Sequence, residues 1–397
     1  MAERPTNATK SSKQLPDFLE LNDLANFRNG GKILFATDDW FAVAENLLKP
    51  EPPLWKEGVF TEFGKWMDGW ETRRKRIPGH DWCIVKLGIP GLISGIEADT
   101  SFFTGNFAPN ISIQGACLGE DVVFPERQGA MGTAASEEQQ AAMEKLSTNE
   151  WEEIVPTTTL LPGYKDTCNN YFGIQSDKRW THLRLNMYPD GGIARLRVYG
   201  IAKPDWSKVS THLLIDLVAM ENGGVCLGYS DVHFGHARNL LAAPRSLIMA
   251  DGWETARRLD RPAVLEADEN AVLKVEGYEW AVFRLGHMGV IKRIEIDTNH
   301  FKGNYPDSCS VEGCIMSKEQ ERQAQCYRHG KTKGDFSQCL WKTILPPSKL
   351  SAHQHHFFEA TIQDIEPVTH LRLTMRPDGG ISRMRTWGYA RKTSAKI

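Results

Sequence analysis

With 397 residues, 41% hydrophobic and 24% charged, the chain is long enough for two or three domains with full cores and has an ordinary globular composition. Its net charge of −3 and pI near 6.5 exclude a field that would gather nucleic acid or an anionic membrane. No apolar run approaches the length of a membrane span, so neither kind of partner is expected.

Residues 1–16 lack the apolar region of a secretory signal and read as a disordered tail. From residue 17 the chain is written twice, in units of 17–203 and 204–391, with a short tail at 392–397. "DLANFRNGG" from Asp23 returns as "DLVAMENGG" from Asp216, and "TDDWFAVAENLL" as "SDVHFGHARNLL". "DGWETRRKR" returns as "DGWETARRL", and "HLRLNMYPDGG" as "HLRLTMRPDGG". Units of this length suit autonomous domains rather than solenoid repeats.

Within each unit the pattern is mainly that of strands. "DWCIVKLG" and "ISGIEADT" read as strands, as do their second copies "EWAVFRLG" and "IKRIEIDT". In "HLRLNMY" Leu183, Leu185 and Met187 alternate with His182, Arg184 and Asn186. The Pro-Asp-Gly-Gly that follows predicts a tight hairpin turn. Helical periodicity is confined to "SEEQQAAMEKL" and "SKEQERQAQCY", in the same insertion of each unit. The expectation is all-β: two tandem homologous sandwiches of jelly-roll type.

Eight cysteines without a signal region point to a reducing, cytoplasmic setting and free thiols. Cys309, Cys314, Cys326 and Cys339 contain no CxxC pair, so neither a zinc site nor any other metal or cofactor is expected. The terminal Ala395-Lys396-Ile397 has the small-basic-aliphatic character of a peroxisomal address.

The blocks "ATDDWFA", "FGKWMDGWETRRKRIPGHDWCIVKLG", "DTSFFTGNFAP", "SDVHFGHARNLL" and "DTNHFKGNYPDSC" resemble the allantoicase family, in order and across both units. The resemblance implies two galactose-binding-like jelly rolls and a hydrolase that turns allantoate and water into ureidoglycolate and urea, in purine degradation. The alternatives are an inactive duplicated scaffold and a glycan- or small-ligand-binding module. A homo-oligomer is expected.

Such a reaction needs a cationic clamp for the substrate carboxylate, an acid for the departing urea nitrogen and a base for water. Arginine suits the clamp because its planar fork meets a carboxylate with two hydrogen bonds. Arg73 and Arg74, with Arg257 and Arg258 of the second copy, are the candidates. Their alternative partners are Asp68, Glu71, Asp251 and Glu254. For acid and base work the candidates are Asp231 and His233 of "SDVHFGH" and Asp297 and His300 of "DTNHFKGN", with His236 behind them. The first unit has Trp40 in place of His233 and Phe102 in place of His300. Asp99 and Asn304 are candidates for ureido recognition, against Asx-turns that only shape their loops. In "SAHQHHFFE", His355 is a further substrate contact, and His353 and His355 would share a face of an extended strand. Trp70 and Trp253 read as core anchors. Water adding after urea departs and water attacking the ureido carbonyl both stay open as routes.

Overall fold

"DWCIVKLG" and "ISGIEADT" form one strand, Asp81–Asp99, and their second copies form Glu279–Asp297. These 19-residue strands organise the computed structural model, which describes residues 15–210, 212–260 and 262–391. The first 14 residues and Ala395-Lys396-Ile397 lie outside the described residues. The first half of Asp81–Asp99 pairs with Arg179–Tyr188 and Lys32–Ala36, the second half with Arg195–Ala202 and Asn169–Gly173. One long strand thus serves both layers of a sandwich, bending where it passes from one to the other. Gly88 sits at the passage, where an added Cβ would stand 2.4 Å from the Asn29 carbonyl oxygen. Glu279–Asp297 repeats the arrangement with Val368–Arg376, Val225–Tyr229, Arg383–Ala390 and His355–Phe358.

The Pro-Asp-Gly-Gly segments are not hairpins. The strands on either side, Arg179–Tyr188 and Arg195–Ala202, do not pair with each other; each pairs with a different stretch of Asp81–Asp99. The segment is an arch between layers, and its Gly192–Ile193 pairs instead with Trp70–Glu71 of "DGWET". The second repeat matches it with Gly380–Ile381 on Trp253–Glu254. Glycine is needed there because a Cβ on Gly380 would lie 1.9 Å from the Phe301 ring.

Leu183, Leu185 and Met187 are fully buried, as their alternation requires, but so nearly are His182, Arg184 and Asn186. The polar face is covered by the insertion that carries the helix. Phe124 stacks on His182, and the Arg184 guanidinium lies 3.9 Å from the centre of the Trp82 ring and donates to Thr148. The helices are Glu137–Glu144 and Lys318–Gln325, each begun by a serine in a capping box. Trp70 and Trp253 are fully buried and donate their indole N–H to the carbonyls of Asp38 and Asp231, so both are core anchors. Among the described residues no helix is long and apolar enough to cross a membrane, and all eight cysteines are free.

Candidate functional site

The arch and "DGWET" lie side by side at one end of the second sandwich, and the loops around them enclose a cleft of about 580 Å³. His233, Glu254, Arg257, Arg258, Asn304 and Asp378 line it. A shallower hollow of about 870 Å³ shares Arg257 and Arg258 and adds Asp231. Four sequence candidates, His233, Arg257, Arg258 and Asn304, therefore meet in one cleft, with Asp231 at its border.

The two arginines differ in their freedom. Arg258 donates to both oxygens of Asp260 and, at 3.0 Å, to Glu279. Arg257 is exposed in the cleft and makes no ion pair among the described residues. The Asp378 carboxylate accepts from the Arg258 backbone N–H at 3.0 Å, which fixes the turn that presents Arg257. Burial raises the Glu279 carboxyl above its ordinary range, against hydrogen bonds from Ser230 and Arg258.

His233 is exposed, and its Nδ1 accepts from the Lys331 ammonium at 3.0 Å. Lysine has only donors, so the ring proton of neutral His233 sits on Nε2. Asp231 accepts from the backbone N–H of Ala256 at 2.6 Å and has Lys331 at 3.6 Å. Asn304 donates to the buried Glu254 at 2.6 Å, a pair repeated by Asn106 and Glu71 in the first unit.

Asp297, His300 and His355 do not line the cleft. Asp297 is buried at the end of the long strand, where Arg245 donates to both its oxygens and the Asn299 N–H completes an Asx-turn. His300 has a φ of +71°; its Nε2 lies 3.0 Å from the Ser246 carbonyl oxygen, and its backbone N–H donates to His353 Nδ1. His355 faces Glu295 at 3.2 Å. His353 precedes that strand with a φ of +50°, so His353 and His355 do not share a face.

In the first unit Arg73 is held by Asp38 at 2.7 Å and covers the Trp40 ring, and Arg74 is paired with Asp190 at 3.0 Å. Asp99 accepts from the Ser101 N–H, the Asx-turn geometry. The partners expected for the arginines go elsewhere: Asp68 pairs with Arg195 and Lys49, and Asp251 with Arg28. His236 is structural. Its Nδ1 accepts from the Arg238 N–H as a helix cap, and its Nε2 donates to Glu20 at 2.7 Å.

Sequence reasoning passed over Glu254 as a site residue, along with Lys331 and Asp378. Glu254 and Asp378 sit in the two motifs singled out for their turns, so the signal was present and read only as structure. Lys331 carries no such signal. It arrives on the short hairpin of Arg328–His329 with Thr332–Lys333, whose docking beside Tyr229 is tertiary.

An allantoicase repeat model matches residues 22–203 and 215–391. A probable allantoicase of Pseudomonas syringae pv. syringae is 42% identical over 371 residues, covering 94% of this chain and 97% of that protein. One from Pseudomonas fluorescens is 42% identical over 375 residues, covering 94% and 98%. The crystal structure of allantoicase from Saccharomyces cerevisiae superposes with a TM-score of 0.66 at 34% identity, covering 93% of each chain.

Proposed function

The chain belongs to the allantoicase family, and on that premise we propose that the second-repeat cleft is where it hydrolyses allantoate to ureidoglycolate and urea, a C–N cleavage of purine degradation. The observation that carries the placement is Arg257. It is the cleft guanidinium without a carboxylate partner, whereas Arg73, Arg74 and Arg258 are each closed on one. An incoming carboxylate gains two parallel hydrogen bonds at Arg257 without breaking a resident ion pair.

The products also decide the route. Urea leaves whole, so the bond that breaks joins the central carbon to a ureido nitrogen, and the water oxygen ends on that carbon. Attack at the ureido carbonyl would release carbamate instead. The departing nitrogen needs a proton donor, and His233 presents its Nε2–H while the Lys331 ammonium at Nδ1 supplies the replacement proton, so the ring stays neutral through the transfer. Water needs an acceptor for its proton, and Glu254, oriented by Asn304, supplies a carboxylate in the same cleft. Asp231, Asp297 and His300 act as positioning residues: Asp231 holds the "DGWET" turn, and the other two hold the loop that ends at Asn304. His355 and Asp99 serve the outer strands and loops.

The eight free thiols support a cytoplasmic setting, and self-association belongs to the same reading. The site is tested by urea release from His233→Gln. General acid assistance is worth about 10²–10⁴-fold, so kcat should fall by at least about a hundredfold with KM little changed. Wild-type kcat in that variant would remove His233 from the reaction.

A further inference from the structure

Between the two repeats lies a half-open hollow of about 250 Å³ that shares no lining residue with the cleft. Arg28, Arg197, Arg238 and Arg383 face it, against two lining carboxylates, Asp23 and Asp251. Glu51 reaches Arg28 from the exposed side. At about 30 Å³ for each water, the space holds roughly eight waters or one small organic molecule.

The duplication supplies an internal reference for this charge. Arg28 stands where the second repeat has Glu221, and Arg238 where the first has Glu45. At these two positions the charge is positive only in the copy that lines the space. Arg383 is the counterpart of Arg195, which closes a buried ion pair on Asp68 at 2.7 Å. The counterpart of that carboxylate, Asp251, is taken by Arg28 across the repeat boundary, so Arg383 keeps only the main-chain carbonyls of Asp251, Pro244 and Ser382. Burial and the nearby Arg385 pull the Arg383 guanidinium down to about 10, the mark of a cation short of negative charge. Arg28 Nε is buried without a hydrogen-bond acceptor, and Arg197 Nη1 has only the Asp23 carboxylate, as an ion pair at 3.5 Å. Buried charge in such a state is costly unless it is paired.

We propose that this inter-repeat cavity is a binding site for a small organic carboxylate of one or two negative charges, held by the forks of Arg238 and Arg383 beside the Arg28–Asp251 bridge and joining the two repeats. A bidentate acceptor would supply the missing negative charge and could engage guanidiniums from both sandwiches at once.

The test is calorimetric titration of the intact protein with malonate, with inorganic phosphate and ionic-strength-matched chloride as comparison probes. With the cleft silenced in Arg257→Ala, one malonate should still bind per chain, and at least tenfold more weakly once Arg238→Gln or Arg28→Gln is added. Arg238→Lys, which keeps the charge but not the fork, should fall between and covers the case in which a neutral variant fails to fold. Equal response to malonate and chloride, binding of phosphate alone, undiminished affinity in the cavity variants, or loss in Arg257→Ala alone would each overturn the proposal. Urea release, read in parallel, separates failure here from failure of the cleft assignment.

Discussion

Arg74 and Arg257 occupy the same position of "DGWET" in the two repeats, and their surroundings separate them. Arg74 is closed on Asp190, whereas the matching Asp378 takes only the Arg258 backbone and leaves Arg257 open. Residue types in the motif pointed to all four arginines, but which of them would be neutralised depends on carboxylates outside it, from Asp260 two positions beyond Arg258 to Asp190, 116 positions from Arg74. The same holds for His236, whose sequence neighbourhood looks like that of His233. Burial, then the Arg238 charge, pushes the His236 imidazole down to about 4 from an ordinary 6.5, so at neutral pH it is an uncharged donor to Glu20. Burial alone would raise Glu20, but the hydrogen bond from His236 and the charges of His236, Lys333 and Arg328 hold it at about 2. Since His236 is uncharged at neutral pH, its part there is the hydrogen bond rather than a full ion pair. The sign follows from linkage: as pH falls from 6.5 to 4 the unfolded chain protonates this histidine before the folded chain does, so stability present above 6.5 is lost across that window. The loss approaches about 3 kcal/mol, and Glu20 adds a further loss from 4.5 towards 2. His236→Gln should flatten the fall of Tm between pH 6.5 and 4; an unchanged slope would place the titration elsewhere.

At the level of elements the alternation of apolar residues announced the strands, and helical periodicity announced both short helices. What the periodicity could not carry is which strands pair. "DWCIVKLG" and "ISGIEADT" read as two strands because the glycines between them look like turn residues, yet they are the bend of one strand shared by two layers. The reason is steric. Gly286, the second copy of Gly88, would place a Cβ 1.7 Å from the Asn222 carbonyl oxygen. Gly286→Ala should therefore destabilise the second sandwich by about 1–3 kcal/mol, measurable by denaturant titration, and a neutral effect would mean that the bend has slack. The arch was misread for a related reason. Pro-Asp-Gly-Gly has the composition of a hairpin turn, but its glycines make room for Phe103 and Phe301 rather than for a two-strand reversal.

Across the whole molecule, duplication was legible from the repeated blocks and the division of labour only in part. Histidines in place of Trp40 and Phe102 pointed to the second unit. The structure adds that in the first unit Trp40 lies under Arg73 and Trp55 packs on Phe102, so aromatic rings occupy the counterpart of the cleft. The join between units rests on the segment Asp17–Glu20, whose Glu20 reaches His236, Tyr229 and Lys333 of the second repeat. Glu20→Ala should lower Tm and narrow the separation between acidic and neutral stability; an unchanged Tm would show that the repeats hold together without it. The central claim is that one copy of a duplicated fold carries the hydrolysis. It is tested most directly by steady-state urea release from allantoate in Arg257→Ala beside its first-repeat counterpart, Arg74→Ala. The account predicts a rise in KM of at least about tenfold, or about 1.4 kcal/mol, for Arg257→Ala and wild-type kinetics for Arg74→Ala. The reverse pattern, or equal losses in both, would contradict it.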